Sequence, residues 1–434
     1  MLPFVSMQRS TLEHMFETMT QEGRLARIAE LERLKSAHAA EQAVLAAEFD
    51  AQRRSEEAAR GVPATQRGRG VAAEIALARR ESPNTGGRHL GFARALVHEM
   101  PHTLAALATG ALSEWRATLI VRESACLSVE HRRQLDEELC GDPTRLDGCG
   151  NARIEAEAKA IAYRLDPRAI VERAARAEHD RTVTIRPAPD CMTYVTATLP
   201  VAQGVSVYAA LKRSADTTCD GRGRGQVMAD TLVERVTGLS DADAVSVAVN
   251  VVLSDETLMG GDDPATLGDY GPIPAEIACR LVEKAVTHPQ AKATLRKLYA
   301  RPSTGALVAL QSQARAFPKA LAAFIKLRDQ RCRTPFCDAP VRHRDHITSW
   351  SKKGTTSADN GQGLCEHCNY LKELAAWKVR VQAHESGRHQ TIIETPTGTC
   401  HHSQAPPILP GRRTRDHTPV EHHAQVLLYD LHAA

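Results

Sequence analysis

Cys332-Arg333-Thr334-Pro335-Phe336-Cys337, Arg342-His343-Arg344-Asp345-His346-Ile347, Asn360 and Leu364-Cys365-Glu366-His367-Cys368-Asn369-Tyr370-Leu371-Lys372 follow one another between residues 332 and 372. The four cysteines form two short-spaced pairs, Cys332-x4-Cys337 and Cys365-x2-Cys368. Knuckles of this spacing close a tetrahedral thiolate shell around Zn²⁺ with no open coordination position, the mark of a structural site. The alternative is four free buried cysteines, and two pairs this close together favour zinc. A segment with so few large apolar residues has little core of its own, so the metal would supply folding free energy. The remaining seven cysteines (Cys126, Cys140, Cys149, Cys191, Cys219, Cys279, Cys400) stand singly, and an odd total of eleven excludes a complete set of intrachain disulfides.

Between and beside the knuckles sit groups suited to hydrolysing a phosphodiester. Asp345 offers a hard oxygen ligand for a divalent cation, and His346 a base of the type that titrates near neutrality. Asn360 lies in a Gly/Ser/Thr/Asp loop that can fold back to fix the imidazole. Asn369 sits at the expected start of a helix running to about Trp377, on which Cys368 and Asn369 point about 100° apart, so that one can face zinc and the other a second metal. Lys372, one turn beyond, is placed to meet a phosphate. Each has an ordinary alternative: a surface Asp-His hydrogen bond, a turn asparagine, a solvated lysine. In a regular strand Asp345 and His346 point to opposite faces, so the strand must end, bend or bulge there.

Charge is concentrated in the same region. Residues 301–434 hold 18 Lys/Arg against 11 Asp/Glu, and Arg315–Lys353 alone holds 10 against 3, on a chain whose net charge is +3. A basic segment suits a polyanion partner such as DNA, with Arg331, Arg333, Arg342, Arg344, Lys352, Lys353 and Lys372 as phosphate contacts. It equally suits a solvated face that keeps the protein soluble.

Working outward, residues 1–60 read as a helical arm, proline-free from Gly23 to Arg60, with Leu25, Ile28, Leu31 and Leu34 near one stripe; it offers a surface for homo-oligomerisation. Gly61–Gly70 reads as a linker. Residues 70–324 read as a mostly helical domain, broken at Ser82-Pro83, Met100-Pro101, Gly141-Asp142-Pro143 and Asp166-Pro167. Strands are expected at Thr182–Arg186, Met192–Leu199 and Ala244–Leu253, with helices at Val201–Ala215 and Gln226–Thr237 between, as a small sheet covered by helices. Gly260–Pro274 reads as a second linker. Helices are expected from Ala275 to Arg331, interrupted at Pro289 and Pro302. A zinc-knuckle domain follows over 325–394, ending in a hairpin, and 395–434 is expected to be mostly irregular. The fold class is therefore α+β, mostly α. No stretch approaches the roughly 18–20 apolar residues of a membrane span, and the start lacks a secretory pattern, so a cytoplasmic protein without a membrane partner is expected.

The order Cys-x4-Cys, Asp-His-Ile, Asn, Leu-Cys-x2-Cys-Asn-x2-Lys resembles an HNH endonuclease domain with zinc knuckles. That resemblance implies a ββα-metal fold, two strands and a helix gripping one divalent ion. It implies His346 as the general base, Asp345 and Asn369 as ligands of a catalytic Mg²⁺ or Mn²⁺, Asn360 as the residue that orients His346, and Cys332, Cys337, Cys365 and Cys368 as ligands of structural zinc. Asn369 stands where the name-giving pattern has histidine, and its amide oxygen suits a hard ion better than Zn²⁺ or Ni²⁺. Scattered phrases are similar to the actinobacterial 13E12 repeat family, whose large domain of unknown function precedes an HNH domain. They include Leu96-Val97-His98-Glu99-Met100-Pro101-His102-Thr103, Gly110-Ala111-Leu112-Ser113 and Gly268-Asp269-Tyr270-Gly271-Pro272-Ile273-Pro274. The function implied is metal-dependent hydrolysis of DNA, general-base catalysis joined to Lewis-acid stabilisation. The alternative is a zinc-stabilised DNA-binding or scaffolding protein with an inactive nuclease site. RNA cleavage is chemically open, although aromatics at 4% supply no evident stacking platform.

Overall fold

The computed structural model describes residues 19–408 apart from 143, 239–250, 255–256, 258–260, 288–310, 313–315 and 384–387. The chain divides into two compact units at Asp180/Arg181, a division that falls inside the region expected as one domain over 70–324. The fold is mostly helical with small antiparallel sheets.

Among its described residues the first unit is built of helices and holds no strand. Thr20 starts α1 (Gln21–Ala59) by accepting a hydrogen bond from the Gly23 N–H, which satisfies one of the donors a helix start leaves open. Helix α1 buries Ser36, Ala39, Ala40, Ala43, Ala47 and Asp50, a face of small residues against which α3 (Gly86–His98) and α4 (Pro101–Thr109) pack. The expected stripe is not the core face, because Leu25 and Ile28 are more than 60% exposed. The separate arm over 1–60 is thus corrected: α1 is part of the helical core, and residues 1–18 lie outside the described residues. Helices α2 (Val71–Ala78), α5 (Glu114–Ser124), α6 (Val129–Cys140), α7 (Asn151–Leu165) and α8 (Pro167–His179) complete the unit. Its core joins Leu96, Met100, Leu107, Ile120, Leu135, Leu139 and Ile154. Asp136 of α6, fully buried, accepts from the His102 and Thr103 N–H groups and so caps the start of α4 from another helix.

The second unit begins with the expected hairpin, β1 (Thr182–Pro187) and β2 (Thr193–Thr198), and the expected helices α9 (Val201–Thr217) and α10 (Arg224–Thr237). Among the described residues the hairpin and the later strands do not share one sheet. β3 (Val251–Val252), β4 (Ala265–Leu267) and β5 (Gly271–Ile273) form their own antiparallel ribbon, backed by α11 (Ala275–Thr287) through Ala265, Ile273 and Ala278. Two of these strands correct the linker reading of Gly260–Pro274, and most of the expected strand Ala244–Leu253 lies outside the described residues. Then come β6 (Gln311–Ser312), α12 (Lys319–Asp329), β7 (His343–His346), β8 (Thr356–Ser357), β9 (Gly361–Leu364) and α13 (Glu366–Leu371). The sheet β10 (Lys378–Gln382), β11 (Gln390–Glu394) and β12 (Cys400–Gln404) ends the described chain. Strand β12 corrects the expectation of irregular structure after residue 395: its polar side chains hide it, and the pairing of its backbone with β11 creates it. No helix among the described residues is long and apolar enough to cross a membrane.

This last sheet is tied to the knuckles through His389, whose Nε2 lies 2.8 Å from the Asp359 carbonyl oxygen. Burial, reinforced by the guanidinium of Arg328, pushes the imidazole down to about 4. The unfolded chain takes up this proton near pH 6.5 and the folded chain only near 4. The contribution is therefore complete above pH 6.5 and lost as pH falls through that window, at a cost of about 3 kcal/mol. The His389→Asn variant, which keeps a donor for Asp359, is expected to lose less thermal stability than wild type between pH 7.5 and 4.5. Parallel curves would exclude His389 as the source.

Candidate active site and metal centre

The site is built on the β7–β9 ribbon and α13. The Sγ atoms of Cys332, Cys337, Cys365 and Cys368 all lie within 4.8 Å of one another, and all four residues are buried. Cys337 to Cys365 is 3.8 Å and Cys368 to Cys337 is 3.7 Å. A tetrahedron with metal–sulfur bonds of about 2.3 Å has edges of about 3.8 Å, so the cluster has the size of a filled thiolate shell and could hold a metal such as zinc. Hydrogen bonds from Cys332, Cys337 and Cys368 drive the Cys365 thiol down, and the same contacts push Cys332 and Cys368 up. Without a metal the crowded, buried group therefore favours a single anionic sulfur, at Cys365.

A buried ionic group holds this centre to α12. Arg328 and Asp329 pair side by side; Asp329 accepts from the Gly363 N–H at 2.6 Å, and Arg328 donates to the Ala358 and Gly361 carbonyls. Strand β7 pairs with β9 in unbroken register from His343–Leu364 to His346–Gly361. There is no bulge, and the strand ends at His346, which satisfies the requirement by termination. His346 is buried against Phe317, ring centroids 4.5 Å apart, with Trp350 at 6.1 Å, and its Nε2 lies 2.9 Å from Thr356 Oγ1.

Asn360 closes the loop that follows. Its Oδ1 accepts from the Thr348 N–H at 2.8 Å, while Nδ2 donates to the carbonyls of Thr348 and Thr355. A Cβ at Gly354 would fall 1.8 Å from the Thr348 oxygen, so only glycine fits beside this amide. Asn360, expected to fix the imidazole, has its amide groups engaged by the loop backbone, and the hydroxyl beside His346 is that of Thr356. Nothing in the run Thr355-Thr356-Ser357 distinguished that threonine in advance.

On the opposite side of the ribbon, Asp345 faces α13. Lys372 Nζ lies 2.8 Å from Asp345 Oδ2 and also pairs with Glu373. Burial alone would lower the Lys372 ammonium, but its bonds to Asp345 and Glu373 outweigh that and raise it. One turn earlier, Asn369 Oδ1 is buried without a hydrogen-bond partner among the described residues. Gln362 stands directly across the ribbon from Asp345 and is 1% exposed, with both amide atoms unpartnered. Cross-strand partners share a face, so Gln362, which sequence reasoning missed, belongs to the Asp345 side. Unsatisfied buried amide oxygens cost about 1–3 kcal/mol each. Oxygen donors beside a carboxylate fit a hard divalent ion.

Comparison with known families matches residues 25–329 to a domain of unknown function, DUF222. The chain belongs to the DUF222 family. Residues 330–373 match the HNH endonuclease domain, so the DUF222 region is followed by an HNH domain that carries all four cysteines with Asp345, His346, Asn360 and Asn369. This match supports a nuclease-type function and nucleic-acid binding in broad terms. No curated protein and no solved structure matches the chain.

Within the HNH domain the basic residues separate into two groups. Arg342, Arg344, Lys352 and Lys353 are exposed, and Arg331 is partly so, donating to the Asp338 carbonyl. Arg333 is 3% exposed, pairs with Asp329 and donates to the His389 and Ser403 carbonyls. The Lys372 side chain is 8% exposed and paired. Both corrections to the DNA-contact set have one cause: these cations neutralise carboxylates inside the fold.

Proposed function

We propose that this DUF222–HNH protein is a metal-dependent endonuclease that hydrolyses DNA phosphodiester bonds. The observation that carries the reading is the unpartnered, buried Oδ1 of Asn369 on the helix that meets Asp345. Asp345 and Asn369 would hold Mg²⁺ or Mn²⁺, with Gln362 on the same face, and the ion when bound supplies charge stabilisation for the phosphate and the leaving oxygen. His346 takes the proton of the attacking water. The water oxygen then bonds to phosphorus as the bond to the leaving oxygen breaks. Asn360, by pinning residues 348–355, is a positioning residue that keeps Thr356 and His346 in register. The four cysteines would hold structural zinc. The test is nicking of supercoiled plasmid by zinc-loaded protein with Mg²⁺, with Mn²⁺ and with EDTA. Nicking that requires the added ion supports the proposal, and its absence in all three overturns it.

The exposed Arg342, Arg344, Lys352 and Lys353 would engage backbone phosphates, which position DNA without reading its sequence. An Arg342→Ala/Arg344→Ala double variant is expected to make the slope of log affinity against log salt shallower by about 2. An unchanged slope would remove both residues from the interface. One observation favours the second reading, a zinc-stabilised DNA-binding protein with an inactive site: the Lys372 ammonium already sits on Asp345.

A further inference from the structure

We infer that Lys372 is a resident counter-ion of Asp345 which an incoming divalent ion must displace, and that Glu373 is the seat to which the ammonium moves. This rests on the assignment of Asp345 as a ligand of the catalytic ion. Among the described residues Lys372 is the partner of the Asp345 carboxylate, at 2.8 Å, and the pair is largely shielded, the lysine side chain being 8% exposed. A carboxylate oxygen neutralised by an ammonium at that distance cannot also take a dication at bonding distance without strong like-charge repulsion. The same Nζ already touches Glu373, whose side chain is 60% exposed and so can follow the lysine outward. Asn369 and Lys372, three residues apart on one helical face, then play opposite parts. The first presents an oxygen without a partner, and the second occupies the oxygen that the ion needs next.

On this inference the pair delays filling of the site and does not disable it. It sets the metal concentration at which the site fills. Removing the competitor should raise affinity, which loss of a merely structural contact would not do.

The experiment is Mn²⁺ binding to the full-length, zinc-loaded protein, read by the electron paramagnetic resonance of free Mn²⁺. Wild type is compared with Lys372→Met, Lys372→Arg, Glu373→Gln and Asp345→Ala. Lys372→Met is expected to bind Mn²⁺ roughly tenfold more tightly, and Lys372→Arg to stay near wild type. Glu373→Gln is expected to weaken binding when Lys372 is present but not when it is methionine, a coupling that a double-mutant cycle reads directly. Lys372→Gln supplies the same comparison should the methionine variant fail to retain zinc. Unchanged or weaker binding in the neutral variants, with binding still abolished by Asp345→Ala, overturns the inference and leaves the site assignment intact. Binding that survives Asp345→Ala in every background overturns both.

Discussion

The His346→Ala variant is expected to nick plasmid at least about 10³-fold more slowly than wild type at equal zinc content. A positioned general base typically contributes 10²–10⁴-fold, and His346 is the candidate base at the end of β7. The imidazole is wedged against Phe317 and held by Thr356, so its removal also leaves a cavity. The His346→Gln variant, closer in volume, separates the two effects. Both should lose cleavage, and the glutamine variant should keep more of the thermal stability. Because His346 and Asp345 are successive residues of β7 and point to opposite faces, neither variant should change Mn²⁺ affinity. Metal-dependent nicking by either variant at the wild-type rate would sink the assignment of the base.

Removing zinc, by chelation or by Cys368→Ser, is expected to unfold the HNH region while the first unit stays helical. The small core cluster at the knuckles consists of the four cysteines with Leu364, and Ala339 packed against it. Apolar burial there is too small to offset the entropy of ordering the segment. The metal would supply about 10 kcal/mol or more. Without it, one thiolate would be left buried among three crowded sulfurs. Hydrogen exchange read by mass spectrometry should show protection lost across residues 332–404 and retained in α3 to α7, where a core of Leu, Ile and Met needs no metal. Full protection in a protein shown to hold no metal would reject the structural zinc.

How far the sequence was legible depended on whether the determining interaction was local. The breaks expected at Met100-Pro101 and Asp166-Pro167 fall where helices start, because proline at the first helical turn and an aspartate cap act within a few residues. The hairpin β1–β2 was legible from alternation. The burial of α1 was not. Its Leu stripe reads as the core face, yet the neighbouring helices select the alanine face. Three-residue strands in Gly260–Pro274 and the polar β12 owe their existence to partners distant in sequence. At the site, spacing pointed to the four cysteines that the fold brings together, and ligand types offered Asp345, His346 and Asn369 as candidates. The engagement of Asn360 with backbone, and of Arg333 and Lys372 with Asp329 and Asp345, depended on three-dimensional pairing that no spacing encodes.

The carboxylate of Asp329 also bears on how such a chain is inherited. The border between the two family regions runs between residues 329 and 330. A segment starting at 330 leaves behind the acceptor of the Gly363 N–H, the carboxylate beside buried Arg333, and the Leu321, Phe324 and Ile325 side chains that pack on Ala358. The HNH domain is therefore not a free cassette that recombination can move at its sequence border. Any exchange of this domain between carriers has to cut upstream of Lys319 and take α12 along, so the last helix of the DUF222 match is expected to travel with the HNH domain and to vary in concert with it.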